Sequence, residues 1–197
     1  MSIVARGPEC DSDRSPADWK HLERRADATT DERGTPIDPG IRGVVVGLWA
    51  HGLPTESSCE GHLLEGVTDD DPAFGPFVAP YVSIEAPPPS PHPLEVEPDV
   101  VAASPALREQ ARGWRVANHH LQVRLLALLE RFLAGRAVPL HARLQLSPTA
   151  HEWGTCELSF AGAQATRVAP REVQAARLAE YQAELAAFAA FLRQSVT

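Results

Sequence analysis

Leu140-His141-Ala142-Arg143-Leu144-Gln145-Leu146 and Gly154-Thr155-Cys156-Glu157-Leu158-Ser159-Phe160 each alternate apolar and polar side chains, with Ser147 to Trp153 between them. A period of two sets one side of a strand against a core and leaves the other to water, so the two stretches predict an antiparallel hairpin. Helical patterns flank it. Ser104-Pro105 supplies a cap and a proline at the first helical position, and the helix runs to about Ala134, where Gly135 stops it. Trp114, Ala117, Leu121, Leu125, Leu128 and Phe132 form one apolar stripe along it, broadened by Leu129 and Leu133. Pro170 starts a last helix, in which Leu178, Tyr181, Leu185, Phe188 and Leu192 step by three and four. That seam is the geometry of a packed helix or a helix pair.

Upstream, Asp38-Pro39 repeats the cap-then-proline signal and Gly52 ends the segment. Ile41, Val44, Val45, Leu48 and Trp49 follow the helical period between them, although Gly40, Gly43 and Gly47 lower its helix propensity and Val44-Val45-Val46 also fits a buried strand. The caps favour helix. Pro54 to Cys59 and Pro80 to Ala86 read as strands. Helix, strand, strand, helix, strand, strand, helix predicts an α+β fold, with a mostly antiparallel sheet of about four strands packed against two or three helices. Residues 37–197 form its single domain. Residues 1–36 are polar and read as a mobile, partly disordered arm, with a short helix from Ser15-Pro16 to about Arg25 anchored by Trp19 and Leu22. Seven prolines from Pro87 to Pro105 predict a polyproline-like strap.

The chain has 197 residues, a net charge of −8 and three cysteines. It is long enough to bury a core without staples. Sparse, unpaired thiols suit a reducing cytoplasm, the localisation expected here. No run of 18 apolar residues exists, which excludes a transmembrane helix, and the N-terminus lacks the apolar core of a secretory signal. Residues 1–42 hold 7 basic and 9 acidic side chains, residues 43–107 hold none and 10, and residues 108–197 hold 11 and 7. A phosphate backbone needs several Lys or Arg contacts, so the middle of the chain is unfit for nucleic acid and the C-terminal arginines read as solvated helix faces. Lys20 is the only lysine, as in the codon usage of a GC-rich bacterial genome.

One segment concentrates reactive groups: Thr55-Glu56-Ser57-Ser58-Cys59-Glu60-Gly61-His62. Gly61 permits a sharp reversal, across which Cys59 and His62 converge. Two chemistries fit. Cys59 and His62 supply a thiolate and an imidazole to zinc, with further ligands from His151, Glu152, Cys156 or His51. Alternatively, Cys59 is a nucleophile activated by His62 and oriented by Glu60 or Glu56. A Cys at a strand end is also often a small buried hydrophobe, and Gly-His often only a turn. Asp69-Asp70-Asp71 lacks the alternating ligand spacing of a calcium loop. His119 and His120 are adjacent on a helix and diverge by about 100°, so they do not share a metal. No phosphate loop, dinucleotide fingerprint, nucleophile elbow or Cys-x-x-Cys pair is present.

Ile41 to His62, followed by Pro80-Tyr81-Val82-Ser83-Ile84, resembles a group of uncharacterised bacterial and phage proteins sharing a helix, a glycine, Thr-x-x-Ser-Cys-x-Gly-His and an extended strand containing Pro-Tyr. A fainter resemblance is to the third protein family of wybutosine synthesis, tRNA methyltransferases with a Thr-x-Ser-Ser-Cys-Ser-Gly-Arg segment. Ser57, Ser58, Cys59 and Gly61 match it, while His62 stands in place of the arginine. With that cation gone, the resemblance implies the turn as a site and not the methyl transfer.

The sequence thus predicts a Cys59/His62 pocket, zinc-binding and hydrolytic, acting on a small molecule or a protein. A noncatalytic module is the alternative, assembling with itself or a partner through Leu178, Tyr181, Leu185, Phe188 and Leu192. A tRNA-modification role is third.

Overall fold

In a computed structural model, which describes residues 19–31, 33–64, 77–92, 96–150 and 154–195, helix α1 (Trp19–Ala28) leads to helix α2 (Pro39–Ala50), strand β1 (Thr55–Cys59) and a small ribbon of β2 (His62–Leu63) with β3 (Phe77–Val78). Strand β4 (Tyr81–Ile84), helices α3 (Pro98–Ala103) and α4 (Pro105–Leu133), strands β5 (Leu144–Ala150) and β6 (Thr155–Phe160), and helices α5 (Ala163–Arg167) and α6 (Arg171–Gln194) complete it. The main sheet has the order β1-β4-β6-β5 and is antiparallel throughout. The predicted α+β class, four-stranded sheet and packing helices are therefore observed.

Period-two patterning explains the two faces of this sheet. Val82, Leu158 and Leu146 lie in one row across β4, β6 and β5, and Ser83, Glu157 and Ser147 in the next. Val82, Ile84, Leu158, Phe160 and Leu144 are buried with the apolar sides of α2, α4 and α6. The other rows form a polar face.

Helix α2 is buried on nearly every side, from Ile41 to Trp49. Its glycines are contact points: an added Cβ would lie 3.2 Å from Ala189 at Gly43 and 2.8 Å from Leu192 at Gly47. The helix propensity lost at those positions is offset by the close approach of α2 to α6. Trp49 donates its indole N–H to the Thr55 hydroxyl at 2.9 Å, fixing β1 to the end of α2.

The seam of α6 is filled from within the chain. Tyr181, Leu185, Phe188 and Leu192 are buried, Leu178 packs on the same core, Tyr181 stacks on Phe160 at 4.3 Å and Phe188 meets Phe132 at 5.0 Å. These side chains are already covered within the chain, as in the packed-helix form of the seam.

Other differences have local causes. Leu22 and Ala26 of α1 are buried in the core and Arg42 pairs with Asp27 at 2.7 Å, so the folded body includes α1, within the segment read as an arm. The predicted start of that helix at Ser15-Pro16 lies outside the described residues. Leu140–Ala142 is a 3-10 turn, with Leu140 exposed, and the strand begins at Leu144. It continues past Ser147 through Pro148 because β5 is an edge strand, where a missing N–H is tolerated. Pro98 opens helix α3 within the strap rather than extending it. Asn118, inside the apolar stripe of α4, accepts from the Ala86 N–H at 2.7 Å while Trp114 donates to the Ala86 carbonyl at 2.8 Å. Both backbone groups of Ala86 are thereby satisfied at the start of the strap.

Just before it, Glu85 is held next to Glu56, with His92 Nε2 3.7 Å from its Oε1. Burial, then the Glu56 carboxylate, pushes Glu85 up to about 7. A carboxyl raised by folding contributes stability below its unfolded pKa and loses it as pH rises through the folded value. Glu85→Gln should therefore gain about 1–2 kcal/mol over the parent at pH 8 and little at pH 5, as read by thermal melts at both pH values.

Candidate metal centre

The turn after β1 is shaped by Gly61, whose φ of +83° is the left-handed conformation glycine adopts freely. A side chain there would meet Leu178 and Pro80 at 2.7 Å. The reversal brings His62 back beside Cys59, and the N-terminus of α2 closes the group from the opposite side. The Asp38 carboxylate, the Cys59 thiol and the His62 imidazole each offer one ligand atom, all within 4.8 Å of one another. His62 Nε2 lies 3.7 Å from Asp38 Oδ2.

Two reciprocal hydrogen bonds lock the helix to the turn. Glu60 N–H donates to Asp38 Oδ2 at 3.2 Å, and Gly40 N–H donates to Glu60 Oε2 at 2.6 Å. Glu60 thus caps α2 from a distance, occupying an orphan N–H that the Asp38 side chain does not cap. Gln182 of α6 donates to the Glu60 carbonyl at 3.3 Å. Glu60, expected as a catalytic group, is a brace for the loop that carries Cys59 and His62.

Gly61 N–H donates to Cys59 Sγ at 3.3 Å. Burial pushes the Cys59 thiol above its ordinary range; the Gly61 N–H pulls it down, and the Asp38 and Glu60 carboxylates push it further up. A thiol in that setting is protonated at neutral pH, which disfavours a free thiolate nucleophile. A bound cation reverses the balance, because it replaces the missing positive charge and the N–H bond already favours thiolate.

The other expected ligands separate. Cys156 sits in β6 opposite Ile84, which itself pairs with Thr55, the far end of β1 from Cys59. Four strand residues put it about 13 Å further along. It is buried, its thiol is pushed up to about 12 by burial, and its Sγ faces the Ile84 carbonyl. Cys156 is therefore a core residue and not a ligand of this centre. His51 lies at the other end of α2 from Asp38, about 18 Å away for twelve residues, and its Nε2 contacts the Leu192 carbonyl and the Ser195 hydroxyl at 3.1 Å each. His151 and Glu152, and the Asp69-Asp70-Asp71 turn, lie outside the described residues. Asp38 is the member of this group that the sequence does not single out, because an Asp before Pro at a helix start is explained by capping. The carboxylate instead faces Glu60 and His62, 22 and 24 residues on.

The donor set fits a borderline-soft divalent ion. Tetrahedral zinc with bonds of about 2.0–2.3 Å places its ligand atoms roughly 3.3–3.6 Å apart, so the Asp38–His62 edge at 3.7 Å needs to tighten by only a few tenths of an ångström and an edge at the 4.8 Å limit by about 1 Å. All three residues are partly exposed. Comparison with protein-family models, with curated proteins and with solved structures finds no match for this chain.

Proposed function

We propose that this protein is a mononuclear, zinc-class hydrolytic enzyme whose ion is held by Asp38, Cys59 and His62. The convergence of those three donors from a helix start and a glycine turn, far apart in sequence, carries the reading. Three protein ligands are the number used where a fourth position is kept for water, and four where the metal is structural. A zinc ion held there would lower the pKa of a bound water toward neutrality. Asp38, Cys59 and His62 would hold that ion, and Glu60 and Gly61 brace those residues through the turn. Partial exposure of all three would leave a bound ion within reach of a substrate.

The test is turnover of 4-nitrophenyl acetate by metal-stripped protein before and after addition of one equivalent of zinc. Zinc should raise the rate at least about 100-fold, and His62→Ala should abolish the gain. A rate independent of zinc, or a gain retained in His62→Ala, would overturn the hydrolytic assignment.

A further inference from the structure

The polar face of the sheet carries a cleft of about 370 Å³, separate from the three ligands. Tyr81, Ser147, Glu157, Ser159, Gln164 and Arg167 supply its polar lining. Its floor is the row in which Glu157 pairs with Ser83 on one side and Ser147 on the other. Ser147 and Ser159 hydroxyls are 3.1 Å apart, and Gln145 donates to Ser147, so these groups are fixed in orientation. Arg167 comes from the end of α5, which is anchored: Thr166 donates to the Gly162 carbonyl, the Thr166 and Tyr181 hydroxyls lie 2.8 Å apart, and Gln174 donates to the Arg167 carbonyl.

Among the described residues, neither the Glu157 carboxylate nor the Arg167 guanidinium has an ion-pair or hydrogen-bond partner, and they do not pair with each other. A half-buried carboxylate and an exposed guanidinium lining one small cleft, unpaired with each other, are complementary to a ligand with both charges on one short frame. We infer that the cleft binds a zwitterion of amino-acid or dipeptide size, with its ammonium on Glu157, its carboxylate on Arg167 and its polar atoms on the Tyr81 and serine hydroxyls. The volume is at the small end of ligand pockets, which excludes larger cofactors. Burial also pushes the Glu157 carboxyl up, which an ammonium placed against it would offset. Tyr81, which lines the cleft, is also the register partner of Cys59.

Calorimetric titration of the full chain with the common free amino acids and glycylglycine, using acetate and methylammonium as singly charged controls, tests this. At least one zwitterion should bind with one-to-one saturation and neither control should. Glu157→Gln and Arg167→Met should each weaken that binding at least about tenfold without lowering the melting temperature, since neither group has a partner to lose. Absence of saturable binding by every zwitterion, equal binding of a control, or binding that survives either substitution would overturn the assignment.

Discussion

Gly61→Ala should cost roughly 2–5 kcal/mol of stability and weaken zinc binding at least about tenfold. Two terms contribute. The backbone at φ +83° disfavours any Cβ, which is worth about 1–2 kcal/mol for a non-glycine residue. The new methyl would also sit 2.7 Å from Leu178 Cδ1 and from the Pro80 ring. Leucine's end can rotate away but the proline ring cannot, so a further overpacking cost of about 1–3 kcal/mol applies. Relief comes from opening the turn, which moves His62 away from Cys59. Urea unfolding and zinc titration of the same sample read both effects. An alanine variant with parental midpoint and affinity would show that the turn does not set the ligand geometry.

Leu185→Asp should remove most of the stability, on the order of 5 kcal/mol or more, against a typical total of about 5–15 kcal/mol. Leu185 is 2 % exposed in the core cluster. Its replacement loses the buried side chain and leaves a carboxylate without water. Leu185→Ala, which lacks the charge penalty, should cost about 2–4 kcal/mol and keeps the effect measurable if the aspartate variant does not fold. Circular dichroism with urea reads both. Variants that keep the parental midpoint while a parental oligomer falls apart would return the α6 seam to an intermolecular role.

The elements with long, capped periodic patterns were legible in the sequence. Helix α4 is legible from its Ser104 cap to its glycine stop, and Ser104 does accept from the Leu107 N–H. The alternation of Leu144–Leu146 and Thr155–Phe160 carried the sheet, whereas Leu140 was misplaced because two or three alternating residues also fit an exposed 3-10 turn. The strap hid α3, since prolines that favour extended chain also start helices. The same duality hid part of the site. Cys59, Gly61 and His62 are local and stood out, but Asp38 is brought to them only by packing of the α2 N-terminus onto the turn. Cys156 and His51 carried the right side chains and lie in the wrong places, as only strand register and helix length could reveal. Glycines that weakened the helix pattern of α2 proved to be its contacts with α6 and with Glu60.

Calorimetric titration of zinc into metal-stripped, tag-free protein, in buffers of different ionisation enthalpy, addresses the central claim most directly. One site per chain is expected, with release of about one proton near neutral pH because the Cys59 thiol is held protonated until the cation arrives. Asp38→Asn, Cys59→Ser and His62→Ala should each weaken binding at least about 100-fold, while Cys156→Ser leaves affinity unchanged. Absence of a stoichiometric site, or a site that persists in all three ligand variants, would contradict the account.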